Sequence, residues 1–207
     1  MQITIVGTGN MARGIATRAL AGGHDVTIVG TERSKAESLA SELGGNGSAQ
    51  AGDTVGGDMV VLAVPYAAAS DVLDRHRDSL GGAVIVDITN PVDFSTFQPL
   101  SLDAGSAAQE IAGAAPEGAK VVKAFNTTFA GTLVEGRVAG QTLDVFIAGD
   151  DDAAKGTVKQ LVEDGGMRAV DAGPLARARE LEALGYLHMA IQEPLGTGFG
   201  SGVKVVA

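Results

Sequence analysis

Apolar and polar positions along the chain fall into two alternating kinds of block. Ile3 to Val6 is a short β-branched run, and Met11, Ile15 and Ala19 then recur at helical spacing, so a strand gives way to a helix across Gly7, Thr8 and Gly9. Gly22-Gly23 ends that helix, and Asp25 to Val29 reads as a second strand. Ser34-Lys35-Ala36-Glu37 is a capping box for a helix through Leu43, closed by Gly44-Gly45. Asn46 to Gly57 is polar and irregular, with room for a short edge strand. Asp58 to Val64 is a continuous apolar run, as a central parallel strand covered on both faces requires, and Pro65 opens a helix toward Leu80. Ala83 to Asp87 is the next strand and ends in Ile88-Thr89-Asn90-Pro91. From Val92 to Gly105 periodicity is lost, but Phe94, Phe97 and Leu100 appear, as in a lid or binding loop, or in a loop whose own phenylalanines pack it down. Ser106 to Gln109 is a second capping box, for a helix that Pro116 stops. Lys120 to Phe125 is another strand. Six strands alternating with helices predict an α/β fold built on a doubly wound parallel sheet.

The last third differs. Leu143 to Ala148 is a strand, Ala153 to Glu163 a helix and Arg168 to Asp171 a short strand. Ala172-Gly173-Pro174 then opens a helix to about Gln192. Its second half, Ala183 to Ile191, is apolar nearly all round, which predicts burial in a core or a subunit interface, with His188 as a core or interface histidine. Gly196 to Val206 is a Gly-rich tail ending in strand-like VKVV.

Composition removes several chemistries. The 207 residues suffice for one large domain, or one with a small appendage, and include no cysteine. Disulfides, thiolate nucleophiles and Cys-bound metals are therefore excluded, and His24, His76 and His188 fit no metal-ligand spacing. A formal charge of -10 with no basic block argues against nucleic acid and anionic membranes. No apolar run approaches the roughly 20 residues that span a bilayer, so a cytoplasmic protein is expected.

The chemistry that remains concentrates at the first turn. Gly7 supplies backbone freedom, Gly9 lets main-chain N–H groups approach a pyrophosphate, and Ala12 permits close packing of helix on strand. An anion there meets the helix N-terminus, so Gly7, Thr8, Gly9, Asn10 and Met11 are the candidate pyrophosphate ligands. After the second strand, Thr31, Arg33, Ser34 and Lys35 suit the 2′-phosphate of NADP, although Glu32 would favour NAD if it pointed inward. Ser34 could instead serve only the helix end. At the carboxyl end of the third long strand, Ala63, Val64, Pro65 and Tyr66 should flank the ribose or nicotinamide. Asn90-Pro91 is either a ligand-contacting loop or a plain reversal, and Asn126-Thr127 either offers amide and hydroxyl groups to a ligand or caps the next segment.

Several stretches taken together, IVGTGNMARGIA, AVPYAAASDVL, SAAQEIAGAAPEGAKVVKAFNTTFA, GDDDAAK and DAGPLARARELEAL, resemble the NADPH-dependent reductases of the deazaflavin coenzyme F420 across nearly the whole chain. The resemblance implies a Rossmann-type NADP-binding domain over 1–142 and a small C-terminal α/β lobe over 143–207. It also implies reversible hydride transfer between NADP(H) and coenzyme F420, held face to face in the cleft between them. It assigns 2′-phosphate binding to Thr31 and Arg33; Asn126, Thr127 and the Pro174-Leu175 turn are expected to border the acceptor. Archaeal members carry histidine where this chain has Asn126. The KAFNT wording also resembles the cytosolic domain of membrane metalloreductases. Direct hydride transfer needs no catalytic nucleophile and no metal, only two rings stacked at about 3 to 3.5 Å with water excluded. The expected partner is a small-molecule redox acceptor, and the apolar last helix suggests a homodimer. A flavin or quinone reductase, a hydroxyacid or imine reductase completed by dimerisation, and a non-catalytic NADP sensor are the alternatives.

Overall fold

The computed structural model of the protein describes residues 1–44, 49–93, 95–96 and 98–206. In chain order, β1 (Gln2–Val6), α1 (Asn10–Ala21), β2 (Asp25–Val29), α2 (Arg33–Leu43) and β3 (Ala49–Ala51) form the first half of the wind. The second half comprises β4 (Met59–Leu62), α3 (Tyr66–Arg75), β5 (Val84–Asp87), the small hairpin β6 (Val92–Asp93) and β7 (Gln98–Pro99), α4 (Ala107–Ala114) and β8 (Lys120–Lys123). Then come α5 (Ala130–Glu135), the hairpin β9 (Arg137–Val138) and β10 (Gln141–Thr142), β11 (Asp144–Gly149), α6 (Asp152–Asp164), β12 (Arg168–Gly173), α7 (Ala178–Ala190) and α8 (Gln192–Leu195).

The main sheet runs β12-β11-β8-β5-β4-β1-β2-β3, parallel throughout except where β11 meets β8 antiparallel. From β3 to β8 this is the predicted doubly wound order, and the sequence order reverses between β1 and β4, where ligands lie in open α/β sheets. The pleat explains the continuous apolar runs. In β4, Met59 and Val61 enter one core while Val60 and Leu62 enter the other, and Ile3 and Ile5 of β1 share the first core. α1, α2 and α6 cover that first core, and α3 and α4 cover the second. Gly14 lets α1 and α5 touch, since a Cβ there would stand 2.8 Å from the Leu133 Cβ.

Local expectations fare unevenly. Ser106 caps α4 as predicted, accepting from the Gln109 N–H at 3.2 Å, although Gln109 returns the contact to the Ser106 hydroxyl instead of the backbone. The Ser34 capping box is not formed. Helix α2 begins at Arg33 with Glu32 as its N-cap and no side-chain cap, because Glu32 already holds extended backbone and its carboxylate is taken by Lys35. The long terminal helix starts with a 3₁₀ turn over Leu175–Arg177 and breaks at Ile191, and one face of its second half lies open, with Leu187 60% exposed. The tail is no strand. Instead Asp144 at the start of β11 accepts from Lys204 Nζ and the Val205 N–H, both at 3.0 Å, and also binds Arg168. Burial alone would push the Asp144 carboxyl up, but these donors bring it below its ordinary value. The roles considered for Phe94 and Phe97, and the Gly45 end of α2, lie outside the described residues.

Candidate functional site

The β1–α1 turn is built for a ligand backbone. Gly7 has φ +130 and lies so near β4 that a Cβ would sit 2.1 Å from the Ala63 carbonyl oxygen, which only glycine tolerates. At Gly9, by contrast, a Cβ would meet nothing within 4 Å. Gly9 is also the N-cap of α1 and provides no side-chain cap, so the first N–H groups of the helix keep their donors available beside open space. These features fit a dinucleotide pyrophosphate.

A cleft of about 410 Å³ opens there. One wall is Gly7, Thr8 and Gly9 with Gly30 and Thr31 from the end of β2; the other begins with Ala63, Val64 and Pro65. It continues along one face of α3 through Ala68, Asp71, Val72 and Arg75 to His76. Those α3 residues were missed in the sequence, although their spacing of three and four after Pro65 marks a single helix face. Burial, and then the neighbouring Arg75, hold the His76 imidazole below its ordinary value. Asn10 and Met11 sit at the start of α1. Tyr66 turns away from this cleft toward α4, where its hydroxyl donates to Glu110, which raises the phenol to about 12.

The four predicted 2′-phosphate residues separate. Thr31 lines the cleft, whereas Arg33, Ser34 and Lys35 lie exposed on the first turn of α2. Arg33 donates to Glu37 at 2.9 Å and is also bound to Asp53, and both contacts hold its guanidinium above its ordinary value. Lys35 pairs with Glu32 at 2.6 Å, so Glu32 faces the helix surface and not the cleft.

At the carboxyl ends of β5 and β8, Asn126 of the predicted acceptor set meets Asn90 of the predicted loop. Asn90 Nδ2 donates to the Asn126 carbonyl at 2.8 Å, and Asn126 Nδ2 donates to Asn90 Oδ1 and to the Leu181 carbonyl, both at 2.9 Å. The two asparagines thereby join both strand ends to α7. Gly185 permits this approach, because a Cβ there would stand 2.8 Å from Asn90 Oδ1. With both its N–H groups spent, Asn126 retains a buried Oδ1 that has no hydrogen-bond partner among the described residues. Phe125, just before it, is fully buried at φ +60, a strained conformation for a bulky residue. Thr127 is buried, and its carbonyl lies 3.1 Å from His188 Nδ1; burial lowers the His188 imidazole. Pro91 accepts from the Tyr186 hydroxyl at 2.6 Å. Pro174 is exposed, and Leu175 packs into the second core with its N–H donated to Asp150. No group of three or more metal-binding side chains occurs, and no helix is long and apolar enough to cross a membrane, among the described residues.

Comparison with known proteins gives a consistent answer. Residues 2–91 match the family described as coenzyme F420-dependent NADP oxidoreductase. An F420-dependent NADP reductase of Methanothermobacter thermautotrophicus is 32% identical over 200 residues, covering 89% of this chain and 86% of the relative. The crystal structure of a candidate F420-dependent NADP reductase from Arthrobacter sp. FB24 superposes with a TM-score of 0.84 at 32% identity, covering 99% of both chains. Metalloreductase STEAP3 of Rattus norvegicus is 30% identical over 183 residues, and there the chain spans only 36% of the relative's length.

Proposed function

This chain belongs to the coenzyme F420-dependent NADP oxidoreductase family, and we propose that it moves hydride reversibly between NADP(H) and the deazaflavin coenzyme F420. The carrying observation is a pair of unlike sites on the carboxyl edge of one sheet. An uncapped helix N-terminus beside open space lies at the β1–α1 turn, and a buried, unpartnered amide oxygen lies at the end of β8.

On this reading the backbone of residues 7 to 11 holds the pyrophosphate. Thr31 and Arg33, with Ser34 and Lys35 beside them, receive the 2′-phosphate. Ala63, Val64 and Pro65 orient the nicotinamide end, with Tyr66 bracing the wall behind. When bound, NADPH supplies the hydride and the oxidised deazaflavin accepts it together with one proton. Asn126, Asn90, Thr127 and the turns at Pro91 and Pro174-Leu175 border the acceptor. The unsatisfied Asn126 Oδ1 supports this, because a buried acceptor without a donor costs ~1–3 kcal/mol that a ligand N–H would recover. No side chain need act as nucleophile; the chain contributes orientation and exclusion of water. The division of labour follows the 1–142 and 143–207 parts of the chain, since Leu181 and Gly185 bring the latter against Asn126 and Asn90. A cytoplasmic homodimer belongs to the same reading. Leu187, Ile191, Leu195 and Phe199 support the dimer, being large apolar side chains left exposed around the end of α7.

The test is anaerobic mixing with NADPH and oxidised F420, following loss of the deazaflavin's visible absorbance, with NADH and FMN in parallel. NADPH-dependent bleaching of F420 is expected. Turnover of FMN but not F420 would overturn the acceptor, and equal rates with NADH would overturn the 2′-phosphate assignment.

A further inference from the structure

Beneath the acceptor end lies a cluster that hydride transfer does not use. Lys123, the last residue of β8, is fully buried, with Nζ 2.8 Å from Asp87 Oδ2 at the end of β5 and 2.8 Å from Glu182 Oε1 on α7. It also donates to the Thr89 carbonyl at 2.5 Å. Asp87 uses its other oxygen to accept from the Thr89 N–H at 2.8 Å, and Glu182 accepts from the N–H of Ala107 at 3.1 Å at the start of α4. Burial, offset in part by Lys123, raises the Glu182 carboxyl, and Tyr66 and Tyr186 lie near enough to feel its charge.

The connectivity is a closed ring. Glu182 leads through Lys123 to Asp87 and Thr89, then along the chain to Asn90, across to Asn126, and back to Leu181, the neighbour of Glu182. The strained Phe125 lies in the chain between two members of the ring, Lys123 and Asn126, and such backbone persists only where its surroundings over-determine it. A buried ionic cluster is a poor device for stability alone, since apolar replacements often serve as well. We infer that Lys123, held between Asp87 and Glu182, is a positioning residue for the acceptor: it sets the spacing of the β5 and β8 ends against α7 and so fixes the Asn126 amide. This rests on the acceptor assignment proposed above.

The test removes the charges and keeps the shape. A triple variant, Asp87→Asn with Lys123→Met and Glu182→Gln, and the single variant Glu182→Gln, are measured for NADPH affinity by coenzyme fluorescence, for kcat and KM with F420, and for amide hydrogen exchange. The expected result is NADPH affinity within about twofold of the parent, kcat lowered tenfold or more, and faster exchange at residues 88–90 and 124–128 but not at 7–14. A folded variant with parental kcat and unchanged exchange at those segments would overturn the inference, as would equal loss of NADPH binding and turnover. If the triple variant does not fold, Glu182→Gln decides by the same criteria. Should the parent protein fail to turn over F420, the acceptor reading falls, and the exchange pattern still decides whether the ring holds these segments.

Discussion

Two regions on the carboxyl edge of the sheet are built on opposite principles. At the β1–α1 turn the protein leaves donors uncommitted: Gly9 faces open space and α1 has no side-chain cap. At the ends of β5 and β8 most polar groups are committed, through Lys123, Asp87, Glu182 and the Asn90–Asn126 pair, and among the described residues there the Thr89 hydroxyl and Asn126 Oδ1 are the buried exceptions. An open backbone cradle suits a ligand part that is the same in every dinucleotide. A rigid side-chain frame suits a ring whose position against a second ring governs the rate.

The sharpest way to break this contrast is Gly9→Val. Since a Cβ there meets nothing in the protein, stability should barely change, while NADPH binding weakens about 100-fold, or ~2.7 kcal/mol, as the new side chain enters the pyrophosphate's space. Parallel denaturation and fluorescence titrations check it; lost stability with retained binding would reverse the roles. Next is Asn126→Ala, which should lower kcat/KM for the acceptor roughly tenfold, about 1.4 kcal/mol, and leave NADPH affinity untouched.

Asp53→Asn should have a smaller effect. Arg33 is engaged by Asp53 and Glu37, so freeing it from Asp53 should tighten NADPH roughly two- to fivefold and leave NADH unchanged, in keeping with the ~0.2–1 kcal/mol of an exposed pair. A matching change for NADH would place Arg33 away from the 2′-phosphate.

The smallest effect concerns pH. Burial lowers the His188 imidazole, and it also lowers those of His24 and His76. With folded values depressed, the unfolded chain binds more protons, so this stabilisation is complete above the ordinary imidazole value of 6.5 and is lost as pH falls through the folded values. Denaturant midpoints should fall between pH 7 and 5.5, and His188→Gln should flatten that fall. Glu182, raised by burial, acts in the opposite sense above its ordinary value.

The same contrast separates what sequence could disclose from what it could not. Gly7, Gly9 and Ala12 lie close together in sequence, so their spacing marks the tight strand-to-helix turn, and the alternation of apolar runs discloses the parallel sheet. Lys123, Asp87 and Glu182 are separated by 36 and 59 residues and meet only after β5, β8 and α7 are assembled, so no local pattern exposes them. Ser34 shows the converse limit. Its capping box is locally sound, but α2 starts one residue before it, at Arg33. A sequence likewise shows the cation of Arg33 but not the Asp53 and Glu37 that hold it.

The most direct measurement follows one labelled hydrogen. NADPH carrying deuterium on one face of the nicotinamide is mixed anaerobically with oxidised F420 for a single turnover, and the reduced deazaflavin is analysed by mass spectrometry. Direct transfer across the cleft predicts that the label from one face, and not the other, resides in the deazaflavin ring, with a primary isotope effect on bleaching. Loss of the label to solvent, or bleaching that requires an added flavin, would contradict the account.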